Sequence, residues 1–180
     1  MDKRKMDTLI KLRKIFMAGY VPSRAIKNYT AVSTKLANCL EHAIFNLEDD
    51  TLISDFNFYD LDTFANFINS PNDTPEDISG RIFSMVDDVG LKVKRENFER
   101  PILKKNEWLV ALYFNGVKDF HLLLKQDKVW TGKMGIKDKI EIFEELPKEI
   151  KQNDARFGER KYSLYGLYTI KNDNVPTLEK

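Results

Sequence analysis

Cys39 and His121 are the two residues whose types and positions could support covalent catalysis. Cys39 is the only cysteine in the chain and follows Asn38, a residue type favoured at helix N-caps. The pattern therefore predicts that Cys39 starts a helix, where the helix dipole lowers the pKa of a thiol. His121 opens a predicted strand, and its imidazole could take the thiol proton while the sulfur attacks a carbonyl carbon. This combination is typical of a cysteine hydrolase.

The same residues fit an interpretation without chemistry. One longer helix beginning near Thr30 would enclose Cys39 as a small buried hydrophobic residue. His121 could be a core histidine within an apolar strand. His42, three residues after Cys39, lies on the same side of the predicted helix and is a second candidate neighbour of the thiol. The sequence leaves these alternatives open.

A third catalytic residue would orient the imidazole, and Asp119 is the candidate closest in sequence. It lies two residues before His121 and shares its face of the strand, at about 7 Å. If Asp127 and Lys128 form a two-residue turn, Met134 lies opposite His121, and a thioether cannot orient an imidazole. Other polar residues stay open as the third member: Asn115, Thr131 and Asp138.

The first half of the chain has mainly helical patterns. They predict helices over Lys5 to Met17, Asn38 to Leu47 and Leu61 to Ile68, and a fourth that begins at Thr74-Pro75-Glu76-Asp77 and ends at Gly90. The first is basic and amphipathic, so it could pack on the domain with its lysines in water or bind a partner.

After Gly90 the pattern changes to that of strands. Strands are predicted over Leu91–Lys94, Glu107–Phe114, Phe120–Lys125, Val129–Thr131 and Ser163–Ile170, with Asn115-Gly116 as a hairpin turn. Ile140–Phe143 fits a short strand or a helix start, and Pro147 to Lys161 a solvated loop or helix. We expect a single α+β domain over residues 1–171, with N-terminal helices packed on a C-terminal antiparallel sheet, and a flexible tail over 172–180.

Composition limits the classes of function. The chain has 180 residues, with 42% hydrophobic and 32% charged side chains, and its net charge of +1 argues against a nucleic-acid partner. Two histidines and one cysteine are too few for a structural zinc site, and no cofactor is implied. A lone cysteine forms no internal disulfide, and no segment has the composition of a signal peptide or membrane span. We therefore expect a soluble, cytoplasmic protein.

The chain resembles the papain-like superfamily of cysteine peptidases and amidases. The resemblance rests on Asn38-Cys39 at a helix start and on Asp119-Phe120-His121 at a strand start after a hairpin, with a weaker likeness at Trp130-Thr131-Gly132-Lys133. It implies that Cys39 is the nucleophile and His121 the base. The chain departs from that family because no glutamine precedes the cysteine to help form an oxyanion hole.

Two functions follow as expectations. The first is a small papain-like cysteine hydrolase that acts on an amide or thioester bond of a protein or peptide substrate, with Cys39, His121 and Asp119 as its site. The second is a non-enzymatic protein-binding module, such as an inhibitor or effector, that uses aromatic residues and the basic first helix as its contact surface.

Overall fold

Helices precede strands in the described part of the chain. The computed structural model describes residues 3–22, 38–47, 67–97, 101–116, 119–133, 140–154 and 158–176. Helix α1 covers Lys3–Met17, a π-helical turn covers Glu41–Phe45 and helix α2 covers Pro75–Asp88. The strands are β1 Lys92–Glu96, β2 Glu107–Asn115, β3 Asp119–Gln126, β4 Val129–Lys133, β5 Ile140–Phe143, β6 Glu149–Asp154 and β7 Gly158–Lys171.

The seven strands form one antiparallel sheet. Its order is β1-β7-β2-β3-β4-β5, and β6 pairs with β7 outside this path. The long strand β7 lies between β1 and β2 along one half of its length and pairs with β6 along the other. The predicted α+β class is thus confirmed, with an antiparallel sheet after the N-terminal helix.

The two faces of the sheet pack in different surroundings. On the face that we call the helix face, Trp108, Leu122 and Leu124 share a buried apolar cluster with residues of α1, α2 and the π-helical turn. On the opposite face, which we call the far face, Tyr113, Leu123 and other residues of β2–β4 form a second cluster with Ile150 of β6 and with residues of β7. Since successive strand residues point to opposite faces, the chain register decides which side chains can meet.

Several local predictions are confirmed. In α2, Thr74 and Asp77 form the reciprocal hydrogen bonds of a capping box, and Gly90 after the helix has a φ of 87°. The β3–β4 hairpin pairs Gln126 with Val129, so Asp127 and Lys128 form the predicted two-residue turn. Ile140–Phe143 is a strand, the first of the two alternatives.

Other predictions differ from the structure. Within the segment Pro147 to Lys161, residues 149–154 form β6 and residues 158–161 begin β7, so the predicted loop or helix is wrong there. The hairpin after β2 pairs Asn115 with Asp119, which makes its connection three residues long. The predicted helix Leu61 to Ile68 lies outside the described residues, except for its last two. No helix in the described ranges has the length and apolar character needed to cross a membrane.

Candidate active site

The helix that carries Cys39 begins at Cys39 itself. Asn38 is not helical, and its Oδ1 accepts a hydrogen bond of 2.8 Å from the backbone N–H of Glu41, which makes Asn38 the N-cap. The backbone N–H of His42 donates to the Asn38 carbonyl at 2.9 Å. The shorter helix is therefore confirmed over the one starting near Thr30. Cys39 is buried, 8% exposed, within the apolar cluster on the helix face, and it forms no disulfide.

The helix widens into a π-helical turn immediately after Cys39. The backbone N–H of Asn46 donates to the Glu41 carbonyl, five residues earlier, and Asn46 ends the turn with a φ of 38°. Asparagine tolerates this left-handed conformation better than most residues. The indole Nε1 of Trp108 donates to the Ile44 carbonyl at 3.1 Å and ties the turn to β2. Such turns are rare and often occur at functional sites.

His42 lies in the π-helical turn and reaches β4. Its Nε2 is 3.0 Å from Thr131 Oγ1, and Thr131 Oγ1 donates to Gln126 Oε1 at 2.6 Å. The Thr131 hydroxyl can donate to Gln126 and accept from the His42 ring at the same time. His42 also has a hydrogen bond to the Thr131 backbone.

Two further ionisable residues are buried beside His42. Glu41 is 2% exposed, its Oε1 accepts from the Leu47 N–H at 3.2 Å, and Lys133 on β4 has no exposed surface. Burial raises the pKa of Glu41 to about 8, although the Leu47 hydrogen bond and the Lys133 charge oppose this shift. Burial, followed by the Lys133 charge, lowers the pKa of His42 to about 4, against a hydrogen bond to the Thr131 backbone that raises it. Burial therefore favours the uncharged form of both Glu41 and His42.

His121 lies on the far face of the sheet. It pairs with Tyr113 across β2 and β3, and its ring centroid is 6.0 Å from that of Tyr162 on β7. Its Nε2 is 3.0 Å from the point that a Cβ on Gly132 would occupy, so the absence of a side chain at Gly132 admits the imidazole. This Nε2 is buried without a hydrogen-bond partner in the described structure. Burial, and secondarily the His42 charge, lower the pKa of His121 to about 3.

Asp119 shares the far face with His121, as the spacing predicts, but its carboxylate bonds to β7. Asp119 Oδ2 accepts from the Tyr162 hydroxyl at 2.8 Å and from Arg160 Nη1 at 3.2 Å. Its Oδ1 accepts from the backbone N–H of Phe120 at 2.8 Å. These bonds fix the carboxylate at the β3–β7 contact.

The structure does not bring Cys39 and His121 to one side of the sheet. Cys39 packs with Phe120, Leu122 and Leu124, the β3 residues that point to the helix face, whereas His121 points the other way. The thiol of Cys39 and the imidazole of His121 therefore do not meet as the sequence predicts. The catalytic roles of Cys39, His121 and Asp119 stay predictions. Met134 and Asp138 lie outside the described residues.

The residues that do lie together were only partly anticipated. His42 and Thr131 were open candidates, whereas Glu41, Gln126 and Lys133 were not considered. The one signal in the sequence is alternation along β4, which puts Thr131 and Lys133 on the same face. Their burial depends on the π-helical turn, which packs against β3 and β4.

Within the described ranges, no group of three or more His, Cys, Asp or Glu side chains could hold a metal ion. No family model matches the chain, and no curated protein or solved structure shows significant similarity to it.

Proposed function

We propose that this protein is a cysteine hydrolase acting on an amide or thioester bond, with Cys39 as nucleophile and His42 as base. The proposal keeps the chemistry that the sequence suggests, including the likeness to papain-like enzymes, and replaces His121 with His42. One observation carries it: the hydrogen-bond chain from His42 through Thr131 to Gln126. In the proposed arrangement, His42 Nε2 donates to Thr131 and Nδ1 accepts the thiol proton, so that Thr131 and Gln126 orient the imidazole as the third member of a catalytic triad does.

The position of His42 on the helix supports the same assignment. Helical residues three apart are neighbours, with about 5–6 Å between their Cβ atoms. Helical side chains also lean toward the N-terminus, so the His42 ring leans back over the turn that Cys39 begins. In the proposed reaction, Nδ1 of His42 takes the thiol proton as Sγ bonds to the carbonyl carbon. The imidazolium then protonates the leaving group, and water hydrolyses the resulting thioester.

The low pKa of His42 shapes this mechanism. A base with a pKa of about 4 does not hold the thiol proton at rest, so Cys39 remains a thiol until substrate binds. Proton transfer then accompanies the attack on the carbonyl carbon. We therefore expect alkylation of Cys39 to depend on His42 without showing the acid-shifted profile of a thiolate–imidazolium pair.

The test compares variants on the two faces of the sheet. Iodoacetamide labelling of Cys39, followed by mass spectrometry, would be measured for wild type, His42→Gln, Thr131→Val and His121→Gln. We expect His42→Gln to slow labelling by at least about tenfold, Thr131→Val to slow it less, and His121→Gln to leave it nearly unchanged. With p-nitrophenyl acetate, the wild type should release a burst of p-nitrophenolate stoichiometric with protein and form acetyl-Cys39.

Two outcomes would contradict the proposal in different ways. Slower labelling in His121→Gln alone would return the base to His121 and would require the sheet to rearrange. Equal labelling of all variants, together with no acetyl-Cys39, would reject the hydrolase.

A second candidate function, binding of a partner protein, is favoured by the exposed side of α1. Met6, Ile10 and Met17 are 40%, 46% and 58% exposed and lie along one stripe of the helix. Arg13 and Lys14, both exposed, lie on either side of this stripe. An acidic partner with an apolar centre fits such a surface. A partner that binds wild type and Cys39→Ser equally, but not an Ile10→Ser/Met17→Ser double variant, would favour this function.

A further inference from the structure

A groove on the far face of the sheet lies at the end formed by β1, β7 and β2. Its volume is about 600 Å³, within the usual range of small-molecule sites. Strand side chains form its floor, and the chain at Pro101, Ile102 and Lys104 forms its wall. Four lysines and two glutamates line it, so the groove has a net positive charge. We call it the lysine groove.

The floor of the lysine groove places like charges opposite each other. Lys92 on β1 pairs directly with Lys171 on β7, and Lys94 pairs with Thr169 in the same ladder. Because residues two apart share a face, these four side chains form a patch on one side of the sheet. Acidic partners offset these charges in part: Asp87 beside Lys92, and Glu107 and Asp173 beside Lys171.

Thr169 gives an independent sign that the groove holds a ligand. It lines the groove, is 6% exposed, and its Oγ1 has no hydrogen-bond partner in the part of the chain that the structure describes. A buried hydroxyl without a partner has lost its bonds to water and gained none in return. Rotation about χ1 would bring Thr169 Oγ1, which has almost no exposed surface itself, toward the groove, where a ligand oxygen would accept from it and restore the missing bond.

Lys92 can turn to a ligand at little cost. It forms an ion pair with Asp87 at 3.1 Å, in which both side chains are more than 60% exposed, and exposed ion pairs of this kind contribute little to stability. Lys94 instead pairs at 3.2 Å with Glu96, whose side chain is 6% exposed, and Lys171 pairs with Asp173 at 2.5 Å. A bound anion would share Lys94 and Lys171 with these carboxylates.

We propose that the lysine groove binds a small phosphorylated organic molecule. Its phosphoryl group lies between Lys92, Lys94 and Lys171 and accepts a hydrogen bond from Thr169. A phosphoryl group has three acceptor oxygens and nearly two negative charges, which match three ammonium groups better than a carboxylate does. The organic part lies against Ile102, whose side chain is 99% exposed beside this charge cluster. The site is on the opposite face from Cys39 and does not depend on the proposed hydrolase.

The experiment uses the whole protein and three probes: phenyl phosphate, benzoate and inorganic phosphate. Binding would be followed by amide chemical shifts in NMR at low and at physiological salt. We expect phenyl phosphate to bind more tightly than either other probe, to shift the amides of β1 and β7, and to weaken as salt rises. Cys39→Ser should bind identically, so that failure of the hydrolase and failure of this site are distinguishable.

Matched variants distinguish specific binding in the lysine groove from an effect of the overall charge of the protein. Thr169→Val preserves the shape of the side chain and should weaken phenyl phosphate binding by about tenfold, the effect of one lost charge-assisted hydrogen bond. Lys171→Met should weaken binding by a similar factor, and it also removes the ion pair of Lys171 with Asp173. Lys128→Met changes an exposed lysine of the β3–β4 turn and should leave binding unchanged.

Several results would overturn the proposal. Benzoate binding as tightly as phenyl phosphate would remove the phosphoryl preference, and equal loss in Lys128→Met would reduce the effect to overall charge. No saturable shift with phenyl phosphate in the millimolar range would also refute it. Binding to phosphatidic acid vesicles, without binding to phenyl phosphate, would assign the groove to a lipid surface instead. Lys92→Met serves as the second variant if Thr169→Val does not fold.

Discussion

Replacing Glu41 with glutamine tests the electrostatics of the buried site most directly. Glutamine has the shape of a protonated glutamate, and its Oε1 can still accept from the Leu47 N–H. In the folded protein, burial raises the pKa of Glu41 from its ordinary value of 4.5 to about 8. Folding therefore keeps a proton on this carboxyl group that the unfolded chain releases above pH 4.5.

The sign and size of the effect follow from proton linkage. Between about pH 5 and 7.5 the folded wild type binds one more proton at Glu41 than the unfolded chain does, so its stability falls as pH rises. Each pH unit costs about 1.4 kcal/mol, and the loss is complete only above the folded pKa. Glu41→Gln has no such proton. From pH 5.5 to 7.5 its stability relative to wild type should increase by about 2.7 kcal/mol.

The measurement is urea unfolding at pH 5.5, 6.5 and 7.5, followed by the fluorescence of Trp108 and Trp130. Contributions of His42 and His121 cancel in the comparison, since both proteins retain them. Glu144→Gln, at an exposed position, controls for the loss of a negative charge alone. If Glu41 is instead ionised and paired with Lys133, the variant will be destabilised by a nearly constant amount at every pH. That result would refute the reasoning.

Three further predictions concern positions that support the site. Gly132→Ala should lower the free energy of unfolding by about 1–3 kcal/mol in urea melts. The added Cβ would overlap Leu123 Cδ2 and lie 3.0 Å from His121 Nε2. Unchanged stability would contradict this packing. The stability of His121→Phe relative to wild type should increase by about 2 kcal/mol from pH 6.5 to 5. The pKa of His121 is lowered to about 3 in the folded protein, so in this range acid protonates His121 only in the unfolded chain and destabilises the wild type. Parallel stability profiles of the two proteins against pH would contradict the lowered pKa. Asn172→Ala should lower the free energy of unfolding by about 2–4 kcal/mol. Buried Asn172 donates hydrogen bonds of 2.8 Å to the Phe16 carbonyl in α1 and to the Tyr20 carbonyl just after it. Hydrogen exchange in α1 measures the loss, and unchanged protection of the α1 amides would argue against the contact.

Local physics fixed most of what the sequence could predict. The N-cap at Asn38, the capping box at Thr74, the turn at Asp127 and the strand periods of β2 and β3 depend on residues a few positions apart. Each is set by backbone geometry and side-chain reach, and each is confirmed. The α+β class followed from the order of these elements. The sequence did not predict β6, because this polar segment has no apolar alternation of its own. Its pairing with β7 makes it a strand.

The geometry around Cys39, His42 and His121 depended on tertiary structure alone. The sequence could place Cys39 at a helix start and His121 in a strand, but not which face of the sheet that helix covers. One residue of register separates the two faces, so His121 and Leu122 point in opposite directions and only the packing of the helix decides which one Cys39 meets. The same packing buried Glu41 and His42 beside β4 and thereby shifted their pKa values. Charge state follows burial, and burial is a property of the assembled fold.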